Sequence, residues 1–318
     1  MTFHSIIYLV RNLRRFAIFT VFGADGVLRS GWRFAIFTLL FLSGGALFGS
    51  LALGALYAFS PMVRPGSPVF FIVNSLVSLA VALVAGWLCG RYLERLPFSS
   101  FGTSVEGPWI RNLLLGLILG IVTFAFGAGL GVAGGGLSFS FSQSTASDVL
   151  WTLFISFLVF AAAAAFEEAL FRGYILQTFV RSELSLVGVI LTSLLFASVH
   201  NANPGATTLS WVNTFIAGVW FGVAYLKSRD LWLPFGAHLA WNWAQGSIFG
   251  VEVSGLTEIV KSPFLRESDA GPTWLTGGNY GIEGGVIATV ALILSTVAIK
   301  YLPIGQFPKA NAGDDLTI

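Results

Sequence analysis

Residues 149–178 read VLWTLFISFLVFAAAAAFEEALFRGYILQT, and their only charged side chains are those of Glu167, Glu168 and Arg172. A run of this length exceeds the roughly 20 apolar residues that a helix needs to cross a bilayer. A charged side chain in the middle of such a helix costs on the order of 2.5–3.5 kcal/mol, so it is retained where it has a partner or a task. The stretch therefore predicts a membrane helix that carries functional charges.

The whole chain has the composition of a helical membrane protein. Of its 318 residues, 55% are apolar and 10% are charged, and the mean hydropathy is +0.81, whereas soluble domains are about 25% charged. The strands of an outer-membrane barrel carry only about 10 residues each, so long apolar runs argue against that class. We expect an all-α polytopic membrane protein with about eight transmembrane helices. They are predicted near 34–59, 69–90, 112–133, 149–178, 184–202, 210–226, 231–249 and 282–300.

These helices divide the chain into three parts. A single membrane domain is predicted over residues 34–302, after a basic amphipathic segment at 1–33 that suits a membrane surface. Residues 303–318 are expected to form a cytoplasmic tail. The acidic stretch 250–281 separates the last two spans, and we expect it to be a solvated outer loop.

Basic residues indicate how the helices are oriented. With the N-terminus in the cytoplasm, thirteen Lys and Arg side chains fall inside, whereas Arg64, Lys261 and Arg266 fall outside. This asymmetry predicts a protein of the cell inner or plasma membrane with both termini in the cytoplasm. The inner residues are Arg11, Arg14, Arg15, Arg29, Arg33, Arg91, Arg95, Arg111, Arg181, Lys227, Arg229, Lys300 and Lys309.

Charge and cysteine usage exclude other classes of function. The formal net charge of +2 is spread over 17 basic and 15 acidic residues, so no concentrated basic surface is available for nucleic acid. The single cysteine, Cys89, lies in an apolar run. Neither an internal disulfide nor a cysteine-based metal cluster is therefore possible.

The charges of the fourth span fall on two faces of one helix. At about 100° per residue, Glu168 and Arg172 lie nearly on the same face, whereas Glu167 projects about 100° away from Glu168. Glu168 can thus pair with Arg172, which offsets part of the cost of burying both. Glu167 has no cation on its own helix and is free to face a cavity.

Two other spans carry polar side chains that complement these acids. The fifth ends on His200, with Phe196 one turn before it as a wall for the same pocket, and the seventh holds His238 and Asn242 four residues apart. A carboxylate, two imidazoles and an amide can activate water and stabilise an oxyanion, with or without a metal. Hydrolysis is the chemistry that this set favours. The competing interpretation is that these groups only satisfy each other as hydrogen bonds between helices.

Two further classes of function compete with an enzyme. A transporter would use buried acids as a proton or cation relay, but it should carry them on several spans and show inverted repeats. The membrane acids of this sequence are assigned to one span only. The other alternative is a non-enzymatic membrane protein, such as an immunity or scaffold protein.

Three motifs follow one another on separate apolar spans: Glu167-Glu168-x-x-x-Arg172, Phe196-x-x-x-His200 and His238-x-x-x-Asn242. Together they resemble the CPBP family of intramembrane proteases. That family includes the CAAX prenyl endopeptidases and bacterial proteins of bacteriocin processing or self-immunity. The resemblance covers roughly residues 110–250, which would be the catalytic core. It implies a hydrolase that cleaves a membrane-associated protein or peptide.

The resemblance also implies roles for the individual residues. Glu167 would activate the attacking water, and His200, His238 and Asn242 would surround it. The catalytic set would therefore be Glu167, Glu168, His200, His238 and Asn242. Arg172 would support Glu168, and Phe196 would support the pocket.

Two arrangements of this set remain open. In a metalloprotease, a divalent metal such as zinc would bind Glu167, His200 and His238, because zinc takes imidazole and carboxylate ligands and leaves one position to water. Without a metal, Glu167 would deprotonate the water and the imidazoles would orient it. Asn242 is a poor zinc ligand and suits the oxyanion in both arrangements.

The predicted helices place Glu167 and His200 at different depths in the membrane. At 1.5 Å per residue, Glu167 lies about 27 Å inward from residue 149, whereas His200 lies about 24 Å outward from residue 184. A fourth helix that extends to about residue 180 would bring the two side chains together. A fifth helix that begins below the membrane surface would have the same effect.

Overall fold

The computed structural model describes residues 21–23, 26–60 and 63–305. Most of the predicted amphipathic segment 1–33 and most of the predicted tail 303–318 lie outside the described residues. The structure is built from helices, as predicted, with one small sheet. Their bounds are α1 Ser30–Phe59, α2 Pro68–Cys89, α3 Trp109–Ala133, α4 Ala146–Arg181, α5 Ser185–His200, α6 Thr208–Ser228, α7 Trp232–Trp243, α8 Thr273–Thr276 and α9 Val286–Ala298.

Each predicted span corresponds to one of these helices, but the count of eight crossings is not confirmed. Within the described ranges, five helices are long and apolar enough to cross a membrane: α1, α2, α3, α4 and α6. Helix α5 has 16 residues and α9 has 13. At 1.5 Å per residue, α5 spans about 24 Å, which is less than the roughly 30 Å of a bilayer core. The apolar runs of the sequence therefore predict where the helices lie more accurately than they predict how long the helices are.

The length of α4 brings Glu167 to the level of His200. This helix continues to Arg181 through a π-helical turn at Ala169–Ile175, and a short turn joins it to α5. Glu167 then lies about 21 Å from the Arg181 end, and His200 lies about 22 Å from the adjoining Ser185 end. The longer fourth helix is thus the alternative that the structure adopts.

Helices α3 and α7 approach each other closely because glycines line their contact. A Cβ atom on Gly116 would lie 2.3 Å from Leu233 O, and one on Gly120 would lie 2.3 Å from Ala237 O. Contacts this short leave no room for a side chain, so the two backbones pack directly. The contact fixes α7, which carries two of the predicted site residues.

The stretch 250–281 is not the solvated loop that the sequence predicts. Strand β2 at Leu265–Asp269 pairs antiparallel with β1 at Leu137–Phe141. Val251, Val253 and Tyr280 are buried, at 2%, 5% and 1% exposure. Apolar side chains lie between the acidic residues of this stretch and are buried against the helices. The stretch therefore packs against the protein instead of being solvated.

The start of the membrane domain also differs from its predicted position at residue 34. Helix α1 begins at Ser30, so Arg33 belongs to it, and Arg33 is buried at 8% exposure. Arg33 pairs with Glu94, the last residue of the π-helical turn Gly90–Glu94 that follows α2, and Arg181 Nη2 lies 2.9 Å from the same carboxylate. One acid thus joins the ends of α1, α2 and α4.

Candidate active site

Glu168 and Arg172 form an ion pair inside the helix bundle. Arg172 Nη1 donates to Glu168 Oε1 at 3.0 Å, as their spacing predicts, and their side chains are 0% and 1% exposed. His238 Nδ1 lies 2.9 Å from the same oxygen. Because an ionised carboxylate only accepts hydrogen bonds, the proton of this bond belongs to His238 Nδ1. Glu168 therefore sets the tautomer and the orientation of the His238 ring.

Other contacts hold the Arg172 guanidinium in place. Arg172 Nη2 donates to Gly218 O at 3.0 Å. The guanidinium carbon lies 4.8 Å from the ring centre of Phe196 and 5.0 Å from that of Phe221, close enough for cation–π contacts. Arg172 itself belongs to the π-helical turn of α4, a feature frequent at functional sites. The side chain thereby links α4, α5 and α6.

The neighbouring carboxylate of Glu167 faces both histidines. Glu167 Oε2 lies 3.6 Å from His238 Nε2 and 3.9 Å from His200 Nε2. Both distances exceed the 2.7–3.2 Å typical of a hydrogen bond, and this buried oxygen has no hydrogen-bond partner among the described residues. The structure thus brings Glu167, His200 and His238 together from three helices.

The tautomers of the two imidazoles define what this arrangement can bind. His200 Nδ1 lies 2.8 Å from Phe196 O, and His238 Nδ1 faces Glu168. In neutral rings the protons are therefore on Nδ1, and each Nε2 carries a lone pair. Three acceptors converge: Glu167 Oε2 and the two Nε2 atoms. A water molecule, which donates two hydrogens, or a cation satisfies such a set.

The tautomers of the two histidines support a metal site, but the distances between the three candidate ligands do not. Metal-bound histidines donate their other ring N–H to a carboxylate or a carbonyl, as His238 and His200 do here. However, residues 21–23, 26–60 and 63–305 contain no group of three His, Cys, Asp or Glu side chains that could hold an ion. Zinc at Glu167, His200 and His238 therefore stays a prediction.

A cavity adjoins these groups. Four of the predicted site residues line it, namely Phe196, His200, His238 and Asn242. The ring of Phe196 lies 4.5 Å from that of His200 and 5.9 Å from that of His238, so it walls both imidazoles. The predicted residues of α5 and α7 are thus brought to one cavity, with Glu167 of α4 beside them.

The same cavity contains an acid that the sequence analysis did not assign to the site. Glu283 lies in its wall, together with Asn213, Trp241 and Ser254. Residue 283 falls within the predicted span 282–300, but the structure places it in a short 3₁₀ turn, Ile282–Gly284, that precedes α9. An acid at the start of an apolar run was the available signal. Its neighbours Asn213 and Ser254 reach the cavity only through folding and carried no signal.

Comparison with known proteins agrees with this geometry. Residues 149–244 match the family described as type II CAAX prenyl endopeptidase, Rce1-like. The chain is also 24% identical over 301 residues to the uncharacterized protein YyaK of Bacillus subtilis (strain 168), with 85% of this chain and 92% of YyaK covered. The family match includes Glu167, His200, His238 and Asn242. Over residues 149–244, the chain is therefore similar to the CAAX prenyl endopeptidases that its three motifs resemble.

Proposed function

We propose that this protein is an intramembrane endopeptidase that hydrolyses a peptide bond of a membrane-associated protein, with water activated by Glu167. The observation that carries the proposal is the position of Glu167 Oε2, within 3.6 and 3.9 Å of two imidazole Nε2 atoms beside a cavity. The match of residues 149–244 to a family of endopeptidases supports this class of reaction. The arrangement of acceptors favours water as the attacking group.

In the first step, a water molecule donates one hydrogen to Glu167 and the other to an imidazole Nε2. Its oxygen lone pair then faces the carbonyl carbon of the substrate. As the new C–O bond forms, the proton passes to the Glu167 carboxylate and the carbonyl oxygen becomes an oxyanion. The neutral imidazoles keep the water oriented because Glu168 and Phe196 O hold their Nδ1 protons.

The second step breaks the C–N bond. Asn242 lines the cavity, and its amide N–H can donate to the oxyanion, which is the usual task of such a donor. When the tetrahedral intermediate collapses, Glu167 returns its proton to the leaving nitrogen. The products are a carboxylic acid and an amine, and Glu167 is again a carboxylate.

The location and orientation of the protein complete the proposal. The protein is an integral membrane protein, with several helices that are long and apolar enough to span a bilayer. The thirteen inner basic residues support an orientation with both termini in the cytoplasm. Labelling of a cysteine introduced at Thr257 tests this orientation, which requires that the label react from outside.

Cleavage of lipid-tailed peptides by the purified protein tests the proposed reaction. In detergent and in ¹⁸O-labelled water, mass spectrometry should find two fragments, with one ¹⁸O atom in the new carboxyl terminus. The substrate must contribute its own membrane affinity, so matched peptides without the lipid tail should be cleaved more slowly. Intact peptides after long incubation with folded protein would contradict the proposal.

A further inference from the structure

Glu283 presents a carboxylate to the cavity that also contains His238 and Asn242. Its Oε1 accepts a hydrogen bond from Trp241 Nε1 at 2.9 Å, and its Oε2 accepts from Ser254 N at 2.8 Å and from Ser254 Oγ at 2.6 Å. All three donors are electrically neutral. They orient the carboxylate without cancelling its charge.

No cation pairs with Glu283 in the part of the chain that the structure describes. The ion pairs found there involve Glu94, Glu167 and Glu168. Glu283 also affects its neighbour Tyr280. Burial is the main cause that raises the pKa of Tyr280 to about 12, and the nearby Glu283 carboxylate is the second. The Glu283 side chain thus stands in the wall of the candidate active site without a cationic partner among the described residues.

The fold holds this carboxylate in a fixed place. Asn213 Nδ2 donates to Glu283 O at 2.9 Å and to Gly285 O at 2.8 Å, so the backbone around Glu283 is fastened to α6. Ser254 adopts a left-handed conformation with φ of 50°, which directs both its N–H and its hydroxyl at one carboxylate oxygen. Strained residues of this kind persist where the surrounding structure determines them, often at functional sites.

We propose that Glu283 forms a subsite for a cationic side chain of the substrate, beside the peptide bond that is cleaved. This inference rests on the proposed function, because it concerns the substrate of the same cavity. A lysine or arginine side chain would place its charge on Glu283. Its apolar stem would pack against the rings of Trp220, Trp241 and Phe221, which line the cavity. An acidic side chain at the same position would be repelled.

Lipid-tailed peptides that differ at one position test this subsite. Each position on either side of the cleaved bond is varied among Lys, Met and Glu, which compares a cation with a neutral chain of similar length and with an anion. In the wild type, one position should favour Lys over Met by on the order of tenfold or more in kcat/KM, the effect of a hydrogen bond to a charged group. Glu should be the poorest residue there.

Three variants test whether the charge of Glu283 causes the preference. Glu283→Gln should abolish the preference for Lys, so that the ratio of kcat/KM for the Lys peptide to that for the Met peptide falls to about one. Glu258→Gln, which changes an exposed acid of the stretch 250–281, should leave the ranking of the peptides unchanged. Glu283→Asp keeps the charge and should retain the preference. A ranking that survives in Glu283→Gln, or a wild type without any preference for Lys, overturns the subsite.

Binding separates this inference from the proposed function. The same peptides are titrated against protein carrying Glu167→Gln, and binding is followed by the change in tryptophan fluorescence, to which Trp220 and Trp241 in the cavity wall contribute. Tighter binding of the Lys peptide that Glu283→Gln abolishes would support the subsite even if the wild type cleaved nothing. Cleavage without any preference for Lys would support the endopeptidase and overturn the subsite. If Glu283→Gln does not fold, the comparison of wild type with Glu283→Asp and the ranking of Lys, Met and Glu decide.

Discussion

The carboxylates of Glu167 and Glu168 face different partners, although the two residues are neighbours in the chain. Glu168 Oε1 lies 3.0 Å from Arg172 Nη1 and 2.9 Å from His238 Nδ1. Glu167 Oε2 faces Nε2 of His238 and of His200 at 3.6 and 3.9 Å. The His238 ring therefore stands between a supporting acid and the acid to which we assign the reaction.

The buried ion pair predicts a loss of stability when its cation is removed. Arg172→Ala would leave Glu168 as a buried charge without its main partner, and breaking such a pair costs about 3–5 kcal/mol. The melting temperature in detergent should fall clearly. Arg91→Ala, which changes an exposed arginine near the end of α2, is the matched control and should melt close to the wild type. Equal losses in the two variants would contradict the supporting role of Arg172.

Two asparagines that line the same cavity should respond differently to truncation. Asn242→Ala removes the proposed oxyanion donor and should lower kcat by roughly 10²–10³-fold with little change in melting. Asn213 is 1% exposed and donates to Glu283 O and Gly285 O, so Asn213→Ala should lower the melting temperature. Steady-state kinetics and thermal melting of both variants check this division. An Asn242→Ala enzyme with full kcat would exclude it as an oxyanion donor.

Much of this site could be predicted from the sequence because its signals are local. The charges of residues 167, 168 and 172 lie in one apolar run, and helical angles separate the roles of the two acids. The pairing of Glu168 with Arg172 follows from a spacing of four residues. The convergence of His200 and His238 was predicted because a polar side chain inside a membrane helix is costly unless it has a polar partner.

The features that the sequence analysis missed depend on contacts between distant parts of the chain. Strand β2 at Leu265–Asp269 pairs with β1 at Leu137–Phe141, whereas its acids Glu267 and Asp269 were interpreted as part of a solvated loop. Glu283 enters the cavity because Trp241, Ser254 and Asn213 hold it there. No periodicity within one segment indicates such contacts.

The strand β2 predicts a pH dependence of stability. Burial, and then the charges of Glu252 and Asp269, raise the pKa of Glu267 from 4.5 to about 7. The folded protein therefore binds this proton more tightly than the unfolded chain does. The stabilising contribution is fully present below about pH 4.5 and is lost as the pH rises through about 7. Glu267→Gln should flatten the dependence of melting temperature on pH in this window, whereas Glu258→Gln should not. Identical profiles for wild type and Glu267→Gln would show that Glu267 titrates alike in both states.

Metal content decides between the two forms of the mechanism. If zinc binds Glu167, His200 and His238, active protein should contain about one zinc per chain by elemental analysis. Dialysis against phenanthroline should then abolish cleavage, and added zinc should restore it. Under the metal-free arrangement, activity is complete with substoichiometric metal and resists the chelator. That result would end the zinc prediction while leaving Glu167 as the base.

Substitution of Glu167 tests the central claim most directly. Glu167→Gln keeps the volume of the side chain and removes the base, so the measurement is the cleavage rate of a lipid-tailed peptide by folded, detergent-purified variant. We expect cleavage to fall by about 10²–10⁴-fold or more, with a melting temperature close to that of the wild type. Cleavage by Glu167→Gln at the wild-type rate would contradict the assignment of Glu167 as the group that activates water.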